Sequence, residues 1–156
     1  MFTQPRPKLN IRAVIRDVLD EEQELLIPLG QDFLAGRLEE ADDRLRRWER
    51  YLADRYPDGE IPPRGDAETW RSYQIERALI QRLAAQAQTQ PFPVVHQRAL
   101  KEARRRVQLL LNQGNITESS LAAARFEARL EQELLIELWA SWRAWLKPHG
   151  AHTPRQ

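Results

Sequence analysis

The sequence contains no cysteine. This absence excludes disulfide scaffolds, thiol catalysis and cysteine-ligated zinc or iron–sulfur sites. Histidine is also scarce, since only His96, His149 and His152 are present. None of them belongs to a Glu-x-x-His or His-Glu-x-x-His spacing, which argues against di-iron bundles and zinc-protease sites. We therefore predict no metal site and no cofactor, and we assign His149 and His152 to a solvated tail.

Glycine and long apolar runs are sparse as well. The six glycines are scattered as turn and helix-end residues and form no phosphate-binding loop. The longest uncharged stretch, residues 83–97, contains several Gln and two Pro, whereas a membrane span needs about 20 mostly apolar residues. The first residues lack the continuous apolar core of a signal peptide. We expect a cytoplasmic protein that does not insert into a membrane.

Charge of both signs is abundant and nearly balanced, with 24 Lys and Arg against 23 Asp and Glu, and 21 of the cations are Arg. The balance excludes a generally basic protein that coats a polyanion. It nevertheless conceals two opposed blocks, because residues 21–60 have a net charge of −6 and residues 61–114 a net charge of +5. Residues 1–20 sum to +2 and residues 115–156 to zero. The fold decides whether the two blocks pair with each other.

The apolar periodicity predicts an all-α, single-domain bundle of about five helices built from antiparallel hairpins. No segment alternates with the period of a β-strand. We expect residues 1–8 to form a flexible lead, residues 9–147 the helical domain and residues 148–156 a flexible tail. Proline and glycine predict a loop at 57–65 and a break at 89–93.

Helix ends are predicted at three interior positions. Pro28 should end or kink the first helix, and Gly36 should end a short helical piece that follows it. Pro148 should stop the last helix. The clearest helix comes next and carries a heptad seam that begins at Leu34, and the members of this seam are Leu34, Leu38, Ala41, Leu45, Trp48 and Leu52.

The carboxylates are placed in a way that is typical of surface charge. They cluster at Glu21–Glu24 and Glu39–Asp43, and three more, Glu127, Glu131 and Glu137, lie along the last helix. Acid–base catalysis requires a carboxyl in a pocket that shifts its pKa, and these runs look solvated. Ser119 and Ser120 have no neighbouring His or Lys in the sequence. We therefore predict no catalytic residue and no enzymatic activity.

A basic stripe stands out in the helix that follows residue 93. Arg98, Lys101 and Arg105 are spaced i, i+3 and i+7, and Arg104 lies beside them. A stripe of this kind can contact phosphates or an acidic partner. The alternative is a solvated face paired with the acidic helix at 39–54. No exposed aromatic residues accompany the stripe, so base-specific recognition of RNA is not supported.

Aromatic residues crowd the last turns of the final helix, where Trp139, Trp142, Trp145 and Leu146 lie close together. Trp139 and Trp145 diverge by about 120° around a helix, so at least one of the tryptophans should lie at the rim or on the surface. Trp and Arg dominate the strongest contacts of protein interfaces, and we predict that these four residues bind a partner. The alternative is that the three tryptophans cap the core beneath the N-terminal helix.

The leading functional expectation is a non-catalytic, helical protein-interaction module: an adaptor, an assembly factor or a small structural subunit. It would bind another protein or a second copy of itself, with the tryptophans as anchors and the stripe as steering charge. The alternative expectation is a small subunit that binds the nucleic-acid backbone within a ribonucleoprotein or DNA complex. That subunit would use the stripe together with Arg71, Arg77 or Arg82.

Overall fold

A computed structural model of the chain describes the backbone of residues 11–113 and 119–150, and the side chains of 24–113 and 121–148. The expected lead at residues 1–8 lies outside these ranges, as do the side chains of His149 and His152. The described part contains no strand, and its four helices are α1 (Ile11–Arg55), α2 (Arg64–Gln86), α3 (Phe92–Asn112) and α4 (Ser119–Gly150). The predicted all-α class is confirmed. No helix in the described residues is long and apolar enough to cross a bilayer.

The prediction of about five helices is wrong for the described residues, because α1 continues through both Pro28 and Gly36. A proline inside a helix costs about 3 kcal/mol through its missing hydrogen bond and the steric clash of its ring. The residues around Pro28 outweigh this cost, since Leu26, Leu29 and Phe33 all pack into the core. The prediction that Pro148 stops the last helix is also wrong, because α4 contains this residue and ends at Gly150.

The helices form two antiparallel hairpins, α1 with α2 and α3 with α4, and α2 also packs against α4. Side chains close the first hairpin at its turn. The Tyr56 hydroxyl donates a hydrogen bond of 2.7 Å to Asp66 Oδ2, and Trp48 Nε1 donates one of 3.3 Å to the Asp66 carbonyl. Residues 56–63 connect α1 to α2, and residues 87–91 connect α2 to α3.

The core follows the predicted seams and is closed by aromatic rings. Four of the six heptad positions of α1 are buried, and two of them, Leu34 and Ala41, belong to one cluster with buried leucines of α2 and α4. At one end of the bundle, Phe33 of α1 meets Phe92 of α3 and Trp142 of α4, each with a ring-centroid distance of 5.3 Å. Phe92 and Trp142 contact each other at 4.8 Å. This aromatic junction joins three helices.

Gly30 allows the close approach of α1 to the start of α3. A Cβ atom placed on Gly30 would lie 2.9 Å from the Cβ of Phe92, which is closer than carbon atoms pack. Phe92 itself is completely buried, so its backbone has little room to shift. A glycine in a helix interior is therefore required here for packing. Gly36 is different, because a Cβ there meets nothing within 4 Å.

These two glycines give a matched pair of substitutions. Gly36→Ala should raise the free energy of unfolding by about 0.5–1 kcal/mol, since alanine favours the helix and contacts nothing. Gly30→Ala gains the same helix propensity but forces apart α1 and α3, and we expect a net loss of about 1–2 kcal/mol. Urea unfolding of both variants measures the difference. Equal stabilisation by the two substitutions would contradict the close approach.

Candidate functional site

Three of the four acidic residues described on α4 are paired with arginines from the other helices. Arg37 of α1 lies 3.2 Å from Glu137, and Arg71 of α2 lies 2.8 Å from Glu127. Glu131 accepts from two arginines, Arg82 of α2 at 3.5 Å and Arg106 of α3 at 2.8 Å. These ion pairs neutralise the carboxylates that lie beside the cations of α4.

Glu131 corrects the expectation that the carboxylates of the last helix are solvated, because this residue is only 3% exposed. Its neighbours one turn away, Ala128 and Leu135, belong to the buried row of α4. The interruption of that apolar row by a glutamate was the sequence signal for a buried charge. A buried carboxylate needs compensating cations, which Arg82 and Arg106 supply.

The remaining cations of α3 and α4 have no acidic partner among the described side chains. Eight of them form no ion pair with any described side chain, and we call this set the cationic surface: Arg98, Lys101, Arg104, Arg105, Arg125, Arg129, Arg143 and Lys147. Among the described acids of these two helices, only Glu102 and Glu133 are likewise without an ion pair. The α3–α4 hairpin therefore presents net positive charge.

The predicted basic stripe belongs to this cationic surface. Arg98, Lys101, Arg104 and Arg105 are all exposed, and Arg98 donates a hydrogen bond to Gln90. The alternative pairing of the stripe with the acidic helix at 39–54 is absent from the described contacts. Acids of that segment instead pair with cations of α1 and α2, in the pairs Arg37–Glu40, Arg46–Asp42, Arg47–Asp43 and Arg77–Asp42.

The predicted aromatic cluster is divided between the core and the surface. Trp142 is 2% exposed and belongs to the aromatic junction, so it is inaccessible to a partner in this structure. Trp145 stacks on Trp142 at 5.8 Å and is half-buried beneath α1, and Leu146 also packs against the core. Trp139 is half-buried and lies on the outer side of the hairpin. The core-capping alternative thus describes Trp142 and Trp145, whereas Trp139 lies at the rim.

Trp139 lines a shallow groove of about 370 Å³ between α3 and α4, which we call the α3–α4 groove. Its floor and walls are mainly apolar, and its lining residues are Pro93, His96, Gln97, Leu100, Arg104, Ile136 and Trp139. Ile136 is 50% exposed and lies beside apolar neighbours in this groove. Sequence reasoning missed this groove, because it depends on how two separate helices face each other.

Cations of the cationic surface flank the α3–α4 groove. Arg104 is part of its lining. On α4, Arg125, Arg129, Arg143 and Lys147 lie 11 and 7 residues before and 7 and 11 residues after Ile136. Spacings of 7 and 11 residues return to the same helix face, so these four side chains share the face of Ile136. The groove is therefore an apolar strip with positive charge at both ends.

His96 forms part of the groove floor and joins α3 to α4. It is buried, and its Nε2 donates a hydrogen bond of 2.6 Å to the Leu135 carbonyl. Its ring lies 5.0 Å from Trp139 and 5.6 Å from Phe92. Burial lowers the pKa of His96 from its usual value of 6.5, and the hydrogen bond to Leu135 opposes that shift only in part. The neutral imidazole is the form that this packing favours.

Within the described residues, no group of three or more His, Asp or Glu side chains is arranged to hold a metal ion. Comparison of the chain with protein-family models, with curated proteins and with solved structures gave no significant match. The geometry of the α3–α4 hairpin is accordingly the basis for a functional proposal.

The depressed pKa of His96 predicts a pH dependence of stability. The unfolded chain binds this proton more readily than the folded chain, so stability is fully present above pH 6.5 and falls as the pH drops below that value. His96→Gln keeps an N–H donor for the Leu135 carbonyl but does not titrate. The difference in unfolding free energy between wild type and variant should shrink on acidification from about pH 7.5 to about pH 5.5, as measured by urea unfolding. If the unfolding free energies of the two proteins changed in parallel with pH, the predicted role of His96 would be refuted.

Proposed function

We propose that the protein is a non-catalytic helical interaction module that binds a protein partner on the α3–α4 hairpin. The observation that carries the proposal is the exposed Ile136, set in an apolar groove between cations that have no described acidic partner. An amphipathic helix with an acidic flank is the ligand that fits this surface, since helices bind in grooves through spaced apolar anchors.

The two parts of the surface have separate physical roles. Apolar contact with Leu100, Ile136 and Trp139 would supply affinity, because water is displaced from all three side chains. The surrounding cations would raise the association rate and select acidic partners. Of the residues predicted to anchor a partner, only Trp139 retains that role here.

A non-catalytic role is consistent with the partners of the buried polar groups. Glu131 is held by Arg82 and Arg106, and Glu76 lies 3.4 Å from Arg44. The His96 Nε2–H group donates a hydrogen bond to the Leu135 backbone carbonyl. Glu131 and His96 thus have hydrogen-bond partners within the fold, whereas Glu76 Oε1 has the ion pair with Arg44 and accepts no hydrogen bond from a described residue.

Site-specific photo-crosslinking tests the proposal. A photoreactive amino acid at position 136, introduced into the chain in its native cells, should form a covalent adduct with an acidic amphipathic segment of a partner. The matched control is position 81, because Gln81 is exposed on α2 in the other hairpin. Mass spectrometry identifies the attached peptide. No adduct at position 136, equal adducts at both positions, or attachment to segments without acidic and apolar character would each reject the proposed docking surface.

A second candidate function rests on the exposed stripe. Arg98, Lys101 and Arg105 point away from the core of α3 and form no described ion pair, so they are available to phosphates. The suggested extension to Arg71, Arg77 and Arg82 is less favourable, because these arginines already pair with Glu127, Asp42 and Glu131. This function would be backbone binding without base recognition.

Binding of a labelled single strand across a salt series tests this second function. Affinity should fall steeply with salt, and replacing Arg98, Lys101 and Arg105 together by Ala should reduce the salt slope by about two to three. The matched control replaces Arg46, Arg47 and Arg50, which are exposed on α1. An unchanged salt slope in the stripe variant, or no binding at low salt, would exclude nucleic-acid backbone binding by the stripe.

A further inference from the structure

The N-terminal part of α1 continues beyond the other helices. Near residue 30, the end of α2 and the start of α3 both lie against α1, since Gln31 donates to the Ala87 carbonyl and Gly30 lies against Phe92. α4 runs antiparallel to α1, with Trp145 beside Phe33, and it ends five residues later at Gly150. Five residues advance a helix by about 7 Å, which brings α4 only to about residue 28 of α1.

Residues 11–25 of α1, the N-terminal extension, therefore project about 21 Å past the described helices. Leu25, at the base of the N-terminal extension, is 65% exposed. α3 begins at Phe92, beside residue 30 of α1, and runs parallel to α1 from there. The α3–α4 groove therefore extends from residue 30 in the direction opposite to the N-terminal extension. Because α1 is one continuous helix, the N-terminal extension cannot fold back into the groove of its own chain.

The sequence of the N-terminal extension is that of an acidic amphipathic helix. Its apolar residues share one helix face before Glu22 interrupts them, and they are Ile11, Val14, Ile15, Val18 and Leu19. Asp17, Glu21 and Glu24 are spaced i, i+4 and i+7 and form an acidic row along one flank of that face. The net charge of residues 11–25 is −3.

We propose that the N-terminal extension of a second copy of this chain occupies the α3–α4 groove. The inference rests on the proposed function and specifies the partner. The two surfaces match in length, polarity and charge. The groove extends along α3 for about 16 Å from Pro93 to Arg104, which is the length of about three turns of helix. Apolar side chains of the N-terminal extension meet Leu100, Ile136 and Trp139, and its acidic row meets the cationic surface.

A docking of this kind makes each copy both donor and acceptor. Two copies that exchange their N-terminal extensions form a closed dimer, whereas a one-way contact forms longer assemblies. In both cases assembly depends on chain concentration and weakens as salt screens the charges. The self-association is thus measurable on the purified full-length chain.

Sedimentation equilibrium of the full chain, at micromolar to millimolar concentration, is the first test. Wild type should associate, and Ile136→Asp in the groove or Val18→Asp in the N-terminal extension should each raise the dissociation constant by about tenfold or more. The matched control is Leu109→Asp, since Leu109 is 53% exposed on α3 outside the groove lining and should leave association unchanged. Circular dichroism and urea unfolding verify that each variant is folded.

Mixing the two defective variants is the decisive test. The Ile136→Asp chain keeps an intact N-terminal extension, and the Val18→Asp chain keeps an intact groove, so together they should form a 1:1 complex while each alone stays monomeric. A wild type that is monomeric throughout, association that survives Ile136→Asp, or no complex on mixing would overturn the inference. A monomeric wild type whose position 136 still crosslinks to an acidic segment of another protein would overturn only this inference and leave the proposed function standing.

Discussion

The structure depends on the aromatic junction at Phe92. This one side chain is completely buried, contacts Phe33 of α1 and Trp142 of α4, and begins α3 at the point where Gly30 lets α1 approach. Because protein interiors are close-packed, three helices can meet at one ring only in a narrow range of positions. The junction thereby determines how far α1 extends past its neighbours and which sides of α3 and α4 remain uncovered.

The electrostatic character of the surface is a consequence of the same packing. With α1 and α2 held against α4, Arg37, Arg71 and Arg82 reach Glu137, Glu127 and Glu131. These pairs engage three of the four acids described on α4, while its own arginines form no ion pair with a described side chain. A C-terminal region whose sequence charge is zero thus contributes to a cationic surface. The acidic block keeps carboxylates, such as Glu39 and Asp54, that form no ion pair with a described side chain. Individual exposed pairs contribute little stability, but their positions decide where net charge appears.

Much of the architecture follows from local pattern. The heptad positions of α1, such as Leu34, Ala41 and Leu45, are buried as their spacing predicts, because a helix presents every third and fourth residue on one side. Proline residues also lie in the connections before α2 and α3, where they oppose regular structure. The predicted helix ends at Gly36 and Pro148 were wrong, and α1 also continues past Pro28, because tertiary packing can outweigh a local helix-breaking penalty and cannot be read from neighbouring residues.

The site was predictable only in part. The exposed basic stripe and a tryptophan at the rim follow from helical spacing. The sequence did not show which tryptophan is buried, because that depends on the contact of Trp142 with Phe33 of α1. Sequence alone determined the helical class, the apolar faces and the opposed charge blocks, because each of these depends on residues a few positions apart. The tertiary structure decided that Glu131 is buried, that Glu127, Glu131 and Glu137 are paired with arginines, and that Leu100 and Ile136 share a groove. Those properties depend on residues from different helices, whose distances are set by the packing of the aromatic junction.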